Sequence, residues 1–501
     1  MQKRIRILAM VMMVLLGVIL LQGANVQFRQ ATKLANSPNN PRTLAARLSQ
    51  TRGEIIAADG TVLAKSVPTP AGEYKYQRTY PLGALMGQIT GFVSPNYGNW
   101  GIEAQYNSYL LSHTQPPRSL AQVLAPQTST DSVALTIVPA LQNLAKSQLA
   151  GRDGAIVALN PKTGAVLAMY SNPTYDPSPL AAPNAALERY AWGLYNQRNA
   201  NGFQPLLALA FQGTFPPGST FKVITSTAAY QQRPDLATKS YPYTVTIPLP
   251  DTDKTLSNYG FGGCGGTVAQ MLPPSCDTGF ALLGLDLGAT ALFQQATAFG
   301  YNSRPPLDIP GVAVSNFPTV ASLTARKPFV AYSAIGQGDV AATALQNALV
   351  AAGISNAGTI MAPHLLREVR TSQGDLVLRY KPAKWQQATT PAVASQVSTL
   401  MQQVVSSGTA SGVFSPASKV AAKTGTAQTN AGAINLRTDD WMIAFAPYDN
   451  AQVALAVVLP NQALEATGAV VAGPVANCMI QGVLAYLAGQ PVINTPTTCA
   501  G

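Results

Sequence analysis

Apolar and polar positions divide this chain into blocks of different period. Ile7 to Leu21 is an unbroken apolar run of 15 residues, preceded by Lys3, Arg4 and Arg6. That pattern predicts the helix of a signal peptide or an uncleaved signal anchor. The run is shorter than the ~20 residues a spanning helix wants, but Gly23, Ala24 and Val26 extend it. No A-x-A cleavage site and no lipobox cysteine follows, so the reading is an uncleaved anchor over 1–26. The basic flank assigns the N-terminus to the cytoplasm and the bulk of the chain to the outside. Residues 27 to about 40 are polar and rich in Asn, Gln and Pro, as in a linker.

Two β-hairpins follow. Arg52 to Ala64 places two short apolar runs around Asp59-Gly60. With Tyr80-Pro81, Gly91-Phe92 and Gly101-Ile102-Glu103 it outlines a small β-containing module over 27–151. Gly154 to Met169 is the second hairpin, and its nearly all-apolar first strand suits a sheet covered on both faces. Pro217-Gly218 breaks the chain, and no further breaker occurs until Pro234, which predicts a helix from about Ser219. Its apolar and small residues, Phe221, Val223, Ile224, Ala228 and Ala229, surround most of the circumference, so the helix is buried on several sides. Helices are also predicted over Gly279–Leu287, Ala341–Ala352 and Ala476–Leu487, and strands over Val420–Ala427, Trp441–Ala446 and Val453–Leu459. That order suggests an α+β domain over 152–491, an antiparallel sheet between helices, with a tail over 492–501.

Composition changes this picture little. Apolar content is ordinary at 47% and charged content is 11%, against a typical ~25%. The net charge of +11 comes without a Lys/Arg run or a nucleic-acid-binding signature, so no nucleic-acid partner is expected. A dilute positive surface facing an anionic membrane or wall fits as well, and so does surface composition with no partner. His113 and His364 are the only histidines, and neither G-x-S-x-G nor H-E-x-x-H occurs. A Ser-His-Asp hydrolase or a histidine-ligated zinc enzyme is hard to build from that, and no metal or cofactor is expected. Gly260 to Gly265 matches G-x-G-x-x-G but precedes no clear helix, and reads as a flexible loop. Cys264, Cys276, Cys478 and Cys499 lack zinc spacing and permit three full pairings. In an exported domain the local pairs are Cys264–Cys276 and Cys478–Cys499; four unpaired thiols is the alternative.

The candidate chemistry lies at Ser219 and Lys222. Three apart, they share one helix face, and a serine at a helix start sits in the positive end of the dipole. A serine hydroxyl needs a base to become a nucleophile, and a lysine serves if burial lowers its pKa. Taken alone, the tetrad is an N-cap serine and a solvated lysine, since S-x-x-K is common by chance. But Ser275-Cys276-Asp277 follows Ser219 by 56 residues, and Lys423-Thr424-Gly425 follows Ser275 by 148. S-x-x-K, S-x-N/D and K-[ST]-G, in order, form the signature set of penicillin-binding proteins and serine β-lactamases.

With these motifs, and with Arg52-Gly53, Gly101-Ile102-Glu103, Ile335-Gly336-Gln337-Gly338 and Trp441 to Pro447 around them, the sequence resembles a class B high-molecular-weight penicillin-binding protein, nearest the penicillin-binding protein A type of actinobacteria. The resemblance implies a D,D-transpeptidase of the cytoplasmic membrane that cross-links peptidoglycan stem peptides outside the cell, serves cell shape or division, and is acylated by β-lactams. It implies no cofactor and no metal, and a separate SEDS-type glycosyltransferase partner, because 27–151 is too short to polymerise glycan. Ser219 would be the nucleophile and Lys222 its base. Ser275 and Lys423 would relay a proton to the leaving amine, and the N–H groups of Ser219 and Thr426 would form the oxyanion hole. Thr424 and Thr426 would grip the terminal carboxylate, and Gly425 would let the substrate backbone come close. Strict alternation separates Lys423 from the face of Thr424, so its reach toward Ser275 depends on strand twist. Two residues depart from the common pattern: Asp277, where many relatives have Asn, and Asp439, where many have His. A D,D-carboxypeptidase, a β-lactamase or a retired scaffold are the competing readings, and the intact Ser219, Lys222, Ser275, Lys423, Thr424 and Gly425 weigh against the last.

Overall fold

The structure is a computed structural model and describes residues 2–29, 49–69, 75–114, 128–429 and 436–492. The N-terminal apolar run forms α1 (Gln2–Ala24), prolonged by a π-helical turn, Asn25–Arg29. The segment Gln2–Gln27 is long and apolar enough to cross a membrane, and none of it is buried. Helix therefore continues to Arg29 where the sequence suggested a linker from residue 27; most of that linker lies outside the described residues.

The first hairpin is β1 (Ile55–Ile56) and β2 (Val62–Pro68), antiparallel. The positive φ of 89° at Gly60 explains the Asp-Gly turn between them. β3 (Tyr76–Thr79) pairs with β2, and β4 (Asp131–Leu135) runs parallel to β1. Glu103 is fully buried beneath this sheet and accepts from Arg52 Nε and Arg78 Nε, each at 2.6 Å. Burial alone would raise its pKa, but the two guanidinium charges outweigh burial and hold it below the usual carboxylate value.

α2 (Pro139–Leu149) leads into the second hairpin, β5 (Gly154–Leu159) and β6 (Val166–Asn172). Next come α3 (Lys222–Gln232), α4 (Asp277–Ala298) and α5 (Ala344–Ser355). β7 (Leu366–Thr371), β8 (Leu376–Arg379) and α6 (Pro391–Ser406) follow. The chain closes with β9 (Ala421–Thr429), β10 (Arg437–Ala446), β11 (Val453–Ala463) and α7 (Gly473–Leu487). The central sheet is antiparallel, in the order β6-β5-β11-β10-β9. Every residue of β5 is buried, as its unbroken apolar run requires of an interior strand. α5, buried from Ala344 to Ile354, packs on β5, β10 and β11, and α2 and α7 pack on β6 and β11. A second sheet, β8-β7-β4-β1-β2-β3, joins the N-terminal module to a hairpin more than two hundred residues away.

Several boundaries differ from the sequence reading. α4 begins at Asp277 and runs to Ala298 across a break at Gly288, because Cys276 already serves as its N-cap residue. α5 begins at Ala344, where the Thr343 hydroxyl accepts from Gln346 N at 3.0 Å. The glycine-rich loop is not free: Cys264–Gly266 is a strand paired with Tyr241–Thr244. Cys264 and Cys276 are joined by a disulfide with a Cα–Cα distance of 5.7 Å. Cys499, the partner that sequence suggests for Cys478, lies outside the described residues, as does most of the tail.

Candidate active site

Ser219 does not open an α-helix directly. Gly218–Phe221 is a 3-10 turn, and α3 starts at Lys222. Gly218 has φ +52° and donates its N–H to Gly336 O at 2.9 Å, while the Thr220 hydroxyl donates to Pro217 O at 2.8 Å. Lys222 N donates back to Ser219 O in the i→i+3 pattern, in which residues three apart eclipse, so Ser219 stands above Lys222. Ser219 is half-buried, and its hydroxyl joins no side-chain hydrogen bond among the described residues. Its N–H also has no backbone acceptor outside the turn. Trp441 Nε1 ties the turn to the sheet by donating to Pro216 O at 2.8 Å.

Lys222 is fully buried, and its ammonium is surrounded by oxygen. It donates to Ser275 O and to Asp277 Oδ1, each at 2.6 Å, and to Ser275 Oγ at 3.3 Å. Ser275 presents carbonyl and hydroxyl to one lysine because its backbone is left-handed, with φ +63°. The disulfide to Cys264 fixes the next residue. Asp277 then sits in the first turn of α4, where a carboxylate is favoured, and its Oδ2 accepts from Tyr259 N at 3.1 Å.

Lys423 comes from β9, the edge strand of the central sheet. It is fully buried and donates to Ser275 Oγ at 2.8 Å and to Thr424 O at 3.0 Å. The question of reach is thereby answered: Lys423 shares a strand face with Gly425, and that face presses on Pro217 and Thr220 of the serine turn. The Ser275 hydroxyl accepts from both lysines, which leaves its own proton free to point elsewhere.

Two lysines and one carboxylate share this pocket. Burial lowers the pKa of Lys222, opposed by the Asp277 charge in contact with it. Lys423 is pushed well below the ordinary lysine value, first by burial and then by the positive charge of Lys222, again opposed by Asp277. Where an asparagine would offer an amide, Asp277 supplies a counter-charge.

The fold adds to the sequence reading at three places. A Cβ at Gly425 would lie 2.8 Å from both Pro217 O and Thr220 Cγ2, so this glycine is required for packing against the serine turn. The hydroxyls of Thr424 and Thr426 point to the other face and are already engaged: Thr424 with Thr409 Oγ1 at 2.7 Å, Thr426 with Gly468 N at 3.0 Å and with the Asp440 carboxylate. Asp439 is buried and accepts from Asn461 N at 3.0 Å, and burial raises its pKa to about 6. Tyr259, Thr409, Asp440 and Gly468 were not found by sequence reasoning. None belongs to a spaced motif, and each reaches the site only through the fold. Tyr259 also crosses to the opposite wall, where its phenol donates to Leu464 O at 2.9 Å.

Comparison with known proteins agrees with this geometry. The penicillin binding protein transpeptidase domain family matches residues 154–481, and the penicillin binding protein A dimerisation domain family matches residues 52–132. The chain is 35% identical to peptidoglycan D,D-transpeptidase PbpA of Mycolicibacterium smegmatis over 97% of its own length and 99% of that protein. It is 34% identical to the PbpA of Mycobacterium tuberculosis H37Rv, covering 98% of this chain and 100% of the other. Among solved structures it resembles penicillin-binding protein A from M. tuberculosis as the ceftriaxone acyl-enzyme complex. The TM-score is 0.79 at 33% identity, covering 88% of this chain and 100% of that one. The chain belongs to the penicillin-binding protein transpeptidase family.

Proposed function

We propose that this chain is a serine D,D-transpeptidase of peptidoglycan, acylated on Ser219 by donor stem peptides and by β-lactams. The observation that carries the reading is the Ser275 hydroxyl held between Lys423 and Lys222, the residue that follows the serine turn. Ser219 Oγ attacks the carbonyl of the penultimate D-Ala, and its proton passes to the neutral amine of Lys222. The Asp277 carboxylate and the Ser275 carbonyl, both 2.6 Å away, hold the ammonium that forms. The N–H groups of Ser219 and Thr426 stabilise the oxyanion, an arrangement worth ~3–4 kcal/mol per donor. When the tetrahedral intermediate collapses, the C–N bond breaks. Ser275 gives its proton to the departing D-Ala amine and is reprotonated by the Lys222 ammonium, while the hydrogen bond from Lys423 holds the Ser275 hydroxyl in line. An acceptor amine then attacks the Ser219 ester, its N–H proton passing through Ser275 to Lys222; the C–O bond breaks, and Lys222 returns the proton to Ser219 Oγ. The positive charge of the lysine pair receives the donor carboxylate, and Thr426, half-buried on the edge strand, turns its hydroxyl from the Asp440 carboxylate to donate to it.

The division into an anchor over 1–26, a module over 27–151, a catalytic domain over 152–491 and a tail over 492–501 completes the reading, with the catalytic domain outside the cytoplasmic membrane. The apolar Gln2–Gln27 helix and its basic flank support it. A separate membrane glycosyltransferase of SEDS type would supply the glycan strands.

The test is turnover of a synthetic stem pentapeptide with and without an acceptor stem peptide. The reading expects D-Ala release together with a cross-linked dimer peptide. D-Ala release with hydrolysed donor alone would make the enzyme a carboxypeptidase, and rapid loss of a penicillin label would make it a β-lactamase.

A further inference from the structure

Thr426 stands opposite Asp440 in the register of β9 and β10, so the two side chains share a face. The Thr426 hydroxyl accepts from Gly468 N at 3.0 Å and donates to the Asp440 carboxylate. A hydroxyl has one proton, and an ionised carboxylate can only accept. While Asp440 is ionised, that proton points at Asp440 and Thr426 offers the cleft only a lone pair. A donor carboxylate would then meet oxygen where it needs an O–H. Asp440 is itself fully buried and poorly paired. The single Thr438 proton is shared between Asp440 Oδ2 at 3.3 Å and Ala463 O at 3.2 Å, and Asp440 Oδ1 has no hydrogen-bond partner among the described residues. No positive charge faces it. Asp439 precedes it on β10 and repels it, and the Tyr259 phenol lies in the field of Asp440 and of Glu465. β11 and the turn Gly468–Ala472 carry no ionisable side chain, and Lys423 lies on the other face of β9.

We propose that Asp440 is a positioning residue for donor recognition: it takes up one proton from solvent as the donor carboxylate binds, and so turns the Thr426 hydroxyl toward that carboxylate. The proposal rests on the transpeptidase reading and deepens it at the carboxylate subsite. Once the Asp440 carboxyl is neutral, its own O–H donates to Thr426 Oγ1. Thr426 then accepts from Asp440 and from Gly468 N, and its proton is directed into the cleft. Only this one proton is gained, from water, and no other bond forms or breaks. Burial, the largest cause, has already raised the Asp440 pKa from 3.8 to about 6. An anion docking beside it raises the pKa further, so binding and protonation assist each other. The neutral form is present below about pH 6 and is lost as pH rises above it. The switch also sets specificity, since a ligand without a carboxylate gains nothing from it.

The test is stopped-flow acylation of the full-length protein in detergent by benzylpenicillin and by its methyl ester, which lacks the carboxylate charge. The ratio of their second-order acylation rate constants cancels the titration of Lys222 as base, which serves both ligands alike. The lysine pair attracts the carboxylate equally in wild type and variant, so comparing the two proteins isolates Asp440. In Asp440→Asn the amide donates to Thr426 at every pH. Between pH 5 and pH 8 the ratio should fall at least about tenfold more in the wild type than in Asp440→Asn, with the loss in half-saturation rather than in the limiting rate. Asp440→Ala frees the Thr426 proton by removing its acceptor and should behave as Asp440→Asn does, which guards against a variant that fails to fold. A wild-type ratio that does not fall with pH overturns the proposal, as does an equal fall in the variants or a loss confined to the limiting rate. Acylation of a residue other than Ser219, or by neither ligand, would instead overturn the transpeptidase reading, and this proposal with it.

Discussion

Replacing Gly425 with alanine adds one methyl group between the edge strand and the serine turn. The new carbon would lie 2.8 Å from Pro217 O, 2.8 Å from Thr220 Cγ2 and 3.0 Å from Trp441 Cβ. Unstrained carbon contacts are at about 3.5 Å, so strand and turn must part by about 0.7 Å. The strand cannot retreat freely. Gly468 backs it so closely that a Cβ there would lie 2.4 Å from Gly425 O. The turn cannot slide freely either, because Trp441 Nε1 holds Pro216 O. Overpacking of this kind costs about 1–3 kcal/mol of stability. A 1 Å misplacement of a reacting group costs ~10²-fold in rate, so a shift of about 0.7 Å should lower acylation by more than about tenfold. Stopped-flow acylation by a fluorescent penicillin, paired with thermal unfolding, reads both effects. Packing predicts that the maximal acylation rate and Tm fall together. Weaker ligand binding with unchanged Tm and maximal rate would mean that Gly425 serves substrate approach after all. Unchanged rate and Tm would refute the packing argument outright.

Three further outcomes follow from the buried charges. Lys222→Arg keeps the positive charge but cannot lose its proton. Acylation should fall by about 10²–10⁴-fold, and a variant acylated at near-normal rate would place the base elsewhere. Asp277→Asn removes the charge that opposes the lowering of both lysines, so more neutral amine is present at a given pH. The rising limb of the acylation pH profile should move to lower pH, and a fixed limb or a move upward contradicts the assigned role. Asp439 has its folded pKa raised from 3.8 to about 6 by burial. Its contribution to stability is therefore present below about pH 4 and lost as pH rises through about 6. Asp439→Asn should accordingly stabilise the protein by up to about 2–3 kcal/mol at pH 7.5 and not at pH 4, as read by denaturant unfolding at the two pH values.

The sequence carried the motifs because their chemistry is local. Ser219 and Lys222 are one turn apart, Lys423 and Gly425 lie on one strand, and the apolar run of β5 marks an interior strand. What it could not carry depends on contacts between distant segments. Lys222 and Asp277 are 55 residues apart, and nothing in either motif says that the second pairs with the first. Gly425 reads as a glycine beside a ligand, and nothing in its motif says that Pro217 and Thr220 are pressed against it. Thr424 and Thr426 do alternate onto one face, but period-two reasoning cannot show that Thr409, Gly468 and Asp440 already occupy their hydroxyls. The glycines of 260–266 suggested a free loop, whereas pairing with Tyr241–Thr244 and the bond to Cys276 order it. The β7–β8 hairpin joins a sheet whose other strands end at Leu135, a long-range pairing that no window of sequence reveals.

The central claim is that Ser219 is the residue acylated, served by lysines from two other motifs. Peptide mapping of the penicillin adduct by mass spectrometry tests it most directly, run on the wild-type protein and on Ser219→Ala. The account predicts a single penicilloyl adduct on the peptide containing Ser219, retained over the time of the experiment and absent from the variant. An adduct on Ser275, or labelling that survives Ser219→Ala, would contradict it.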